Sequence, residues 1–265
     1  MKAIDQLGSQ TFSFARYTAL LKTYLAENGK TLGLYTAALI GVSVLVGAFI
    51  GYNFAPERFT YERRVSVVMM SMYITFAYSF CFSISASLMF SSLQTRASRI
   101  STFMLPASML EKYLVRLTVY LFVFAICFII AMLCGEGVRL LASPEGTMSV
   151  FEGYHYVFEQ IRHEELTTRF ALYSVGSMFA GHGLYTLGSA LWPKHSFFKT
   201  FVASIVISVI FVTIMPSDFI NRILHDIIFE GWTSVVVVYI WAIVLYVLAW
   251  WRFSTTQIVQ RFMMN

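Results

Sequence analysis

Charge is scarce in this sequence: Asp, Glu, Lys and Arg make up 12% of its 265 residues, about half the share usual in a soluble domain. Its long apolar runs contain no Asp or Glu at all. Ion-coupled carriers usually bury a carboxylate or histidine relay despite a cost of about 2.5 to 3.5 kcal/mol per charge, so proton-coupled transport is disfavoured. Cysteine is limited to Cys81, Cys127 and Cys134, each within or beside an apolar run, which supports neither a disulfide framework nor a zinc site. No GxxxxGK[ST] phosphate loop occurs, so ATP hydrolysis is expected only from another polypeptide. Met1 to Lys30 lacks the apolar core of a cleaved secretory signal, which makes the first apolar run the expected targeting signal. The chain is expected to hold no catalytic, cofactor or metal site of its own.

What is abundant is apolar surface, with 58% hydrophobic and 17% aromatic residues. Six runs stand out: Thr31 to Tyr52, Val67 to Ser92, Tyr113 to Cys134, Phe170 to Trp192, Phe197 to Met215 and Trp232 to Trp251. Each has about the 17 to 25 residues a helix needs to cross a ~30 Å hydrocarbon core while satisfying its own backbone. The fold class expected is an all-α polytopic membrane protein with six transmembrane helices, residues 1–265 forming a single transmembrane domain.

Charge sorts the segments between the runs. The N-terminal segment, second loop, fourth loop and tail carry 12 of the 19 Lys and Arg, including every lysine, and three acidic residues, a balance of +9. The opposite side carries seven Arg and 11 acidic residues, a balance of −4. The positive-inside bias then places both termini in the cytoplasm, and the net charge of +5 reports topology, not nucleic-acid binding.

Ahead of the first run, residues 11–27 read as an amphipathic helix with Phe14, Tyr17, Leu20, Leu21, Tyr24 and Leu25 on one side and Arg16, Lys22, Thr23 and Glu27 largely on the other. Asn28-Gly29 is a stop signal, so this helix is expected to lie in the membrane interface or on the protein's own inner surface. In the loop of residues 93–112, Arg96, Ser98, Arg99 and Thr102 alternate with Ile100, Phe103, Met104 and Leu105 up to Pro106. Ser108-Met-Leu-Glu111 then has the capping-box pattern that restarts a helix. A short surface helix, a proline break and a sharp restart would expose Phe103, Met104 and Leu105, either for docking a partner or for resting on the lipid surface. On the other side, the outer loop 135–168 contains an amphipathic stretch around Val150 to Glu165. A second one, 217–230, is capped by Ser217, closed by Gly231, too short to span, and expected to dip into the outer leaflet.

Within the second run a hydroxyl recurs every fourth residue at Ser71, Thr75, Ser79, Ser83, Ser87 and Ser91. Such a ridge suits close helix packing, with hydroxyls bonded back to the preceding turn, or a partly polar translocation surface, for which Ser71, Thr75, Ser79, Ser83 and Ser87 are the candidates. Gly47 and Gly51 in the first run and Ser177 and Gly181 in the fourth form small-xxx-small pairs for helix contacts. His182 reads as a hydrogen-bonded packing residue in preference to a relay member. Glu164-Glu165-Leu-Thr-Thr-Arg169 fits the EExxxR string of CAAX-type intramembrane proteases, but Phe179-Ala-Gly-His182 is one residue short of the FxxxH that should follow, so a solvated charge cluster is the preferred reading.

The layout as a whole resembles the permease subunits of type-2 ABC exporters. The shared features are an interfacial N-terminal helix, six spans with cytoplasmic ends, a coupling helix after the second span and a membrane-dipping segment before the sixth. Leu105-Pro-Ala-Ser-Met-Leu-Glu-Lys112 and the segment from Gly188 to Thr200 also look like parts of small bacterial membrane proteins grouped with such permeases. The resemblance implies a protein of the bacterial cytoplasmic (inner) membrane that pairs with a second permease copy or paralogue into a 12-helix dimer. It also implies two cytoplasmic ATPase subunits that hold ATP and Mg, and export of a hydrophobic or amphipathic substrate. Arg96, Arg99, Ile100, Phe103, Met104, Leu105 and Pro106 would then contact the ATPase. The rival expectation is a nontransporting membrane scaffold that uses the same loop to hold a partner.

Overall fold

A computed structural model describes residues 12–53, 65–143, 149–152, 164–214 and 232–255. The chain order is α1 (Phe14–Asn53), α2 (Val65–Leu88), α3 (Arg96–Met104), α4 (Met109–Leu117), α5 (Phe124–Ala142), α6 (Glu164–Leu191), α7 (Ser196–Ile214) and α8 (Trp232–Ser254). A 3-10 turn, Ser91–Leu93, follows α2, and a π-helical segment, Thr118–Val123, carries α4 directly into α5. No strand occurs among the described residues.

Four helical stretches are long and apolar enough to cross a membrane: Phe14–Asn53, Met69–Leu93, Met109–Ala142 and Trp232–Ser254. Most of α6 and α7 meet the same standard as a pair bent by 116°, which makes a fifth candidate. The chain is therefore a helical membrane protein. The bend has a local cause in Trp192-Pro193-Lys194-His195. Pro193 has no N–H with which to continue α6, and His195 adopts φ 55°, in the left-handed region. The Gln94 side-chain amide donates to the Pro193 carbonyl at 3.0 Å and fixes the bend to the segment after α2.

One expected boundary is absent. α1 runs 40 residues without interruption, about 60 Å at 1.5 Å per residue, so Asn28-Gly29 does not end a separate helix over 11–27. The Asn28 amide donates back to the Tyr24 carbonyl at 2.9 Å, and Gly29 stays helical. A glycine inside a helix costs only about 1 kcal/mol, and the leucines on both sides favour continuation. The segment 217–230 lies outside the described residues, as does most of the amphipathic stretch from Val150. The start of that stretch is described: Ser149 and Glu152 bond each other's backbone N–H, at 2.7 and 3.1 Å.

The chain divides into two compact units, 22–82 with 121–167, and the remainder. In the first, α1 and α5 approach backbone to backbone. A Cβ on Gly47 would fall on the Gly135 carbonyl, one on Gly51 would come within 2.6 Å of the Arg139 carbonyl, and one on Gly135 would meet the Ser43 carbonyl at 2.6 Å. Beside this seam Ile50, Met70 and Val150 form a small core. The Glu136–Arg139 ion pair is also buried here. Its two hydrogen bonds are 2.7 Å each, and Glu136 Oε1 accepts a third from the Val150 N–H at 2.8 Å. In the second unit, Met89, Phe90, Leu93, Tyr113, Ala190, Ala249 and Phe253 form the core. There α6 and α8 meet at Gly176, set against Val238 and Tyr239, and at Gly183, set against Leu245.

Candidate functional site

Among the described residues, a dense polar arrangement lies at the start of α4, ahead of the apolar run that begins at Tyr113. Helix ends leave backbone donors and acceptors unpaired, and here four of those ends converge on one short sequence, Glu111-Lys112 and Arg116. Glu111 completes the capping box that the sequence announces: its N–H donates to Ser108 Oγ at 3.2 Å, and its Oε2 accepts from the Ser108 N–H at 2.9 Å. The other oxygen, Oε1, accepts from the Ser13 N–H at 2.6 Å, just before α1, and pairs with the Arg16 guanidinium at 3.2 Å. One carboxylate thus serves the amino ends of two helices, where the helix dipole favours negative charge.

The two cations serve carbonyl ends. Lys112 Nζ donates to the Phe103 carbonyl at 3.0 Å, next to the last residue of α3. Arg116 Nη1 donates to the Met89 carbonyl at 3.2 Å, just past α2, and Nη2 to Thr102 Oγ1 at 3.2 Å. Its guanidinium also lies 5.8 Å from the ring centres of both Phe90 and Phe253. Tyr17 and Thr118 close the set with a hydroxyl pair at 2.7 Å.

Burial by itself raises the Glu111 pKa, but the Ser13 and Ser108 N–H groups and Arg16 outweigh it and hold the carboxyl below its ordinary value. Burial and, second to it, the Arg116 charge lower the Lys112 pKa, with Glu111 opposing them.

This base carries the loop read from sequence as a partner contact. α3 begins at Arg96, and its exposed apolar side ends in Ile100, Met104 and Leu105, with Met104 73% and Leu105 44% exposed. Pro106 is exposed as well, and Arg99 is half-buried. Phe103 departs from the expectation of an exposed docking residue. Its ring packs 5.9 Å from Phe253 against the core, because it follows Thr102, which is bonded to Arg116, and its own carbonyl is held by Lys112.

The hydroxyl ridge of α2 is largely bonded to its own helix: Thr75 to the Ser71 carbonyl, Ser79 to that of Thr75, and Ser87 to that of Ser83, at 2.8 to 2.9 Å. Thr75 and Ser79 are exposed on this chain and Ser87 is buried. Of the small-residue pairs, Gly47 and Gly51 sit at a helix contact, whereas Gly181 faces open space and the Ser177 hydroxyl is exposed, bonded to the Ser174 carbonyl at 2.8 Å. The difference between the two pairs within this chain has a geometric reason. The α6 residues facing α8 are Gly176 and Gly183, seven apart and thus two turns along one face, while Ser177 and Gly181 project elsewhere.

Sequence reasoning missed the surroundings of His182. Its Nδ1 is 2.9 Å from the Tyr246 hydroxyl and 3.3 Å from Thr186 Oγ1, and its Nε2 is 3.4 Å from the Tyr120 carbonyl. Ser85 Oγ also donates to that carbonyl, at 2.5 Å. Tyr120 belongs to the π segment, where the changed hydrogen-bond register opens room for outside donors. Assigning the ring proton to Nε2 lets Nε2–H donate to the Tyr120 carbonyl and Nδ1 accept from the nearer of its two hydroxyl neighbours, Tyr246. That agrees with a packing role. The Glu164–Arg169 string occupies the first turns of α6, and no group of three metal-binding side chains occurs among the described residues.

Comparison with protein-family models, with curated proteins and with solved structures finds no match to this chain.

Proposed function

We propose that this chain is the permease subunit of a type-2 ABC exporter in a bacterial inner membrane. In this reading it has six spans with both termini cytoplasmic, α6 and α7 being separate spans. It pairs with a second permease copy or paralogue and moves a hydrophobic or amphipathic substrate, powered by a separate ATPase that holds ATP and Mg. The observation that carries the reading is the loop between α2 and α4. Ile100, Met104 and Leu105 form an exposed apolar tip, and Glu111, Lys112 and Arg116 anchor its base to four helix ends. A rigid lever of this kind transmits a partner's movement to the spans, whereas a flexible loop would absorb it. The charge balance of the loops supports its cytoplasmic placement.

The test is to purify the tagged chain from its native host and assay nucleotide hydrolysis in the preparation. The exporter reading expects a co-purifying ATPase whose hydrolysis rises with a transported amphipathic compound. A partner that lacks ATPase activity would favour the scaffold reading instead. Orientation is checked separately by single cysteines placed in a cysteine-free background. One at Ser149 reacts with a membrane-impermeant thiol reagent in intact cells, and one at Ser101 only after permeabilisation.

A further inference from the structure

The bend between α6 and α7 holds a groove of about 580 Å³ lined by Trp192, Phe198, Lys199, Val202, Val206 and Ile207. Its polarity is graded along its length. Lys199 lies in the first turn of α7, and Ile207 is eight residues further on, about 12 Å along the helix, with only apolar side chains lining the groove beyond the lysine. Lys194 and His195 precede α7 by two residues and one, and both are exposed, as is Lys199. α7 has no acidic residue in its first turn, so its amino end combines helix-dipole charge with lysine charge and nothing on α7 itself to neutralise them. Trp192 stands at the same end, where an amphipathic ring marks the headgroup level.

We propose that this groove binds one anionic phospholipid. The phosphate sits at the amino end of α7 between Lys194 and Lys199, and one acyl chain lies along Val202, Val206 and Ile207. The order of the lining is what favours a lipid over other occupants: a free anion has no use for the apolar length, and a neutral lipid has no use for Lys199 at the groove's polar end or for the exposed Lys194 just ahead of α7. The proposal is independent of the exporter reading.

The experiment is native mass spectrometry of the full chain in mild detergent, titrated with phosphatidylglycerol or with phosphatidylcholine of the same acyl chains. Wild type is expected to bind one phosphatidylglycerol in preference to phosphatidylcholine. Lys194→Gln with Lys199→Gln, both at exposed positions, is expected to weaken that binding about 30-fold, the loss set by two interfacial cations. Val206→Trp, which fills the groove, is expected to weaken both lipids. Equal affinity of wild type for the two lipids overturns the proposal, as does unchanged binding in the lysine variant. Displacement of phosphatidylglycerol by millimolar inorganic phosphate would show a simple anion site and likewise overturn it. So would a Val206→Trp variant that binds lipid normally but changes from paired chains to single ones, which would make this face a contact between copies.

Discussion

The unit containing α4 uses buried charge to tie distant stretches of chain together, whereas among the described residues the unit containing α5 forms its buried ion pair within one turn of helix. Glu111 reaches Ser13 and Arg16 across nearly a hundred residues, and Arg116 reaches Met89. Glu136 and Arg139 are three residues apart and bond each other twice, and Glu136 also accepts from the Val150 N–H. The first arrangement stiffens a junction of helix ends. The second makes a charge pair compact enough to pack beside a glycine seam. The same residue types therefore do different work, depending on whether their partners lie on other elements or on their own.

Removing one member of each set separates the two. Arg139→Ala leaves Glu136 buried beside a lost cation and is expected to cost about 3 to 5 kcal/mol, read as a lower unfolding midpoint in detergent. Replacing both residues by Leu should recover most of that loss. Glu111→Ala removes the acceptor of two backbone donors and one ion-pair partner of the half-exposed Arg16, an expected loss of about 2 to 4 kcal/mol after allowing for solvent at Arg16. No leucine pair can rescue it, because the lost partners are helix ends. The pH dependence has a definite sign. The folded Glu111 pKa is lowered, so its contribution is present above the unfolded value of about 4.3 and is lost as pH falls through the lower folded value. Glu111→Gln should flatten that part of the stability profile.

Smaller changes test the packing. A methyl at Gly47 meets backbone that cannot swing aside, so Gly47→Ala is expected to cost about 1 to 3 kcal/mol, while Gly181→Ala, with open space for its methyl, should raise the unfolding midpoint by the helix preference for alanine, about 1 kcal/mol. Ser79→Ala with Ser83→Ala keeps the side chains small and removes from Ser79 a bond to the preceding turn of its own helix, which adds little to helix stability, so this pair is expected to be the mildest. A large loss of assembly in the serine pair would mean that the ridge bonds another helix.

Local signals were legible in the sequence and distant ones were not. The capping box at Ser108 and Glu111 depends on a three-residue spacing, and both of its hydrogen bonds are present. The long apolar runs announced helices because a bilayer core demands them. No spacing rule could pair Glu111 with Ser13 or Arg16, since those partners meet only when the helices pack. Asn28-Gly29 misled because a stop signal is a small preference that forty residues of helix outweigh. Ser177 and Gly181 meet no described helix of this chain, because a four-residue pattern names a stripe without naming the side that faces a neighbour. Phe103 looked like a docking residue until its ring and Phe253 occupied the same core.

The central claim is that the exposed tip of α3 and the residues just after it hold a partner while Phe103 holds the fold. It is tested most directly by comparing Met104→Ala with Leu105→Ala against Phe103→Ala, measuring both unfolding midpoint and recovery of a co-purifying ATPase. The tip pair is expected to keep the wild-type midpoint and lose the ATPase, with at least about 1 to 2 kcal/mol of binding removed; Phe103→Ala is expected to lower the midpoint. Full recovery of the ATPase with the tip pair, at an unchanged midpoint, would contradict the account.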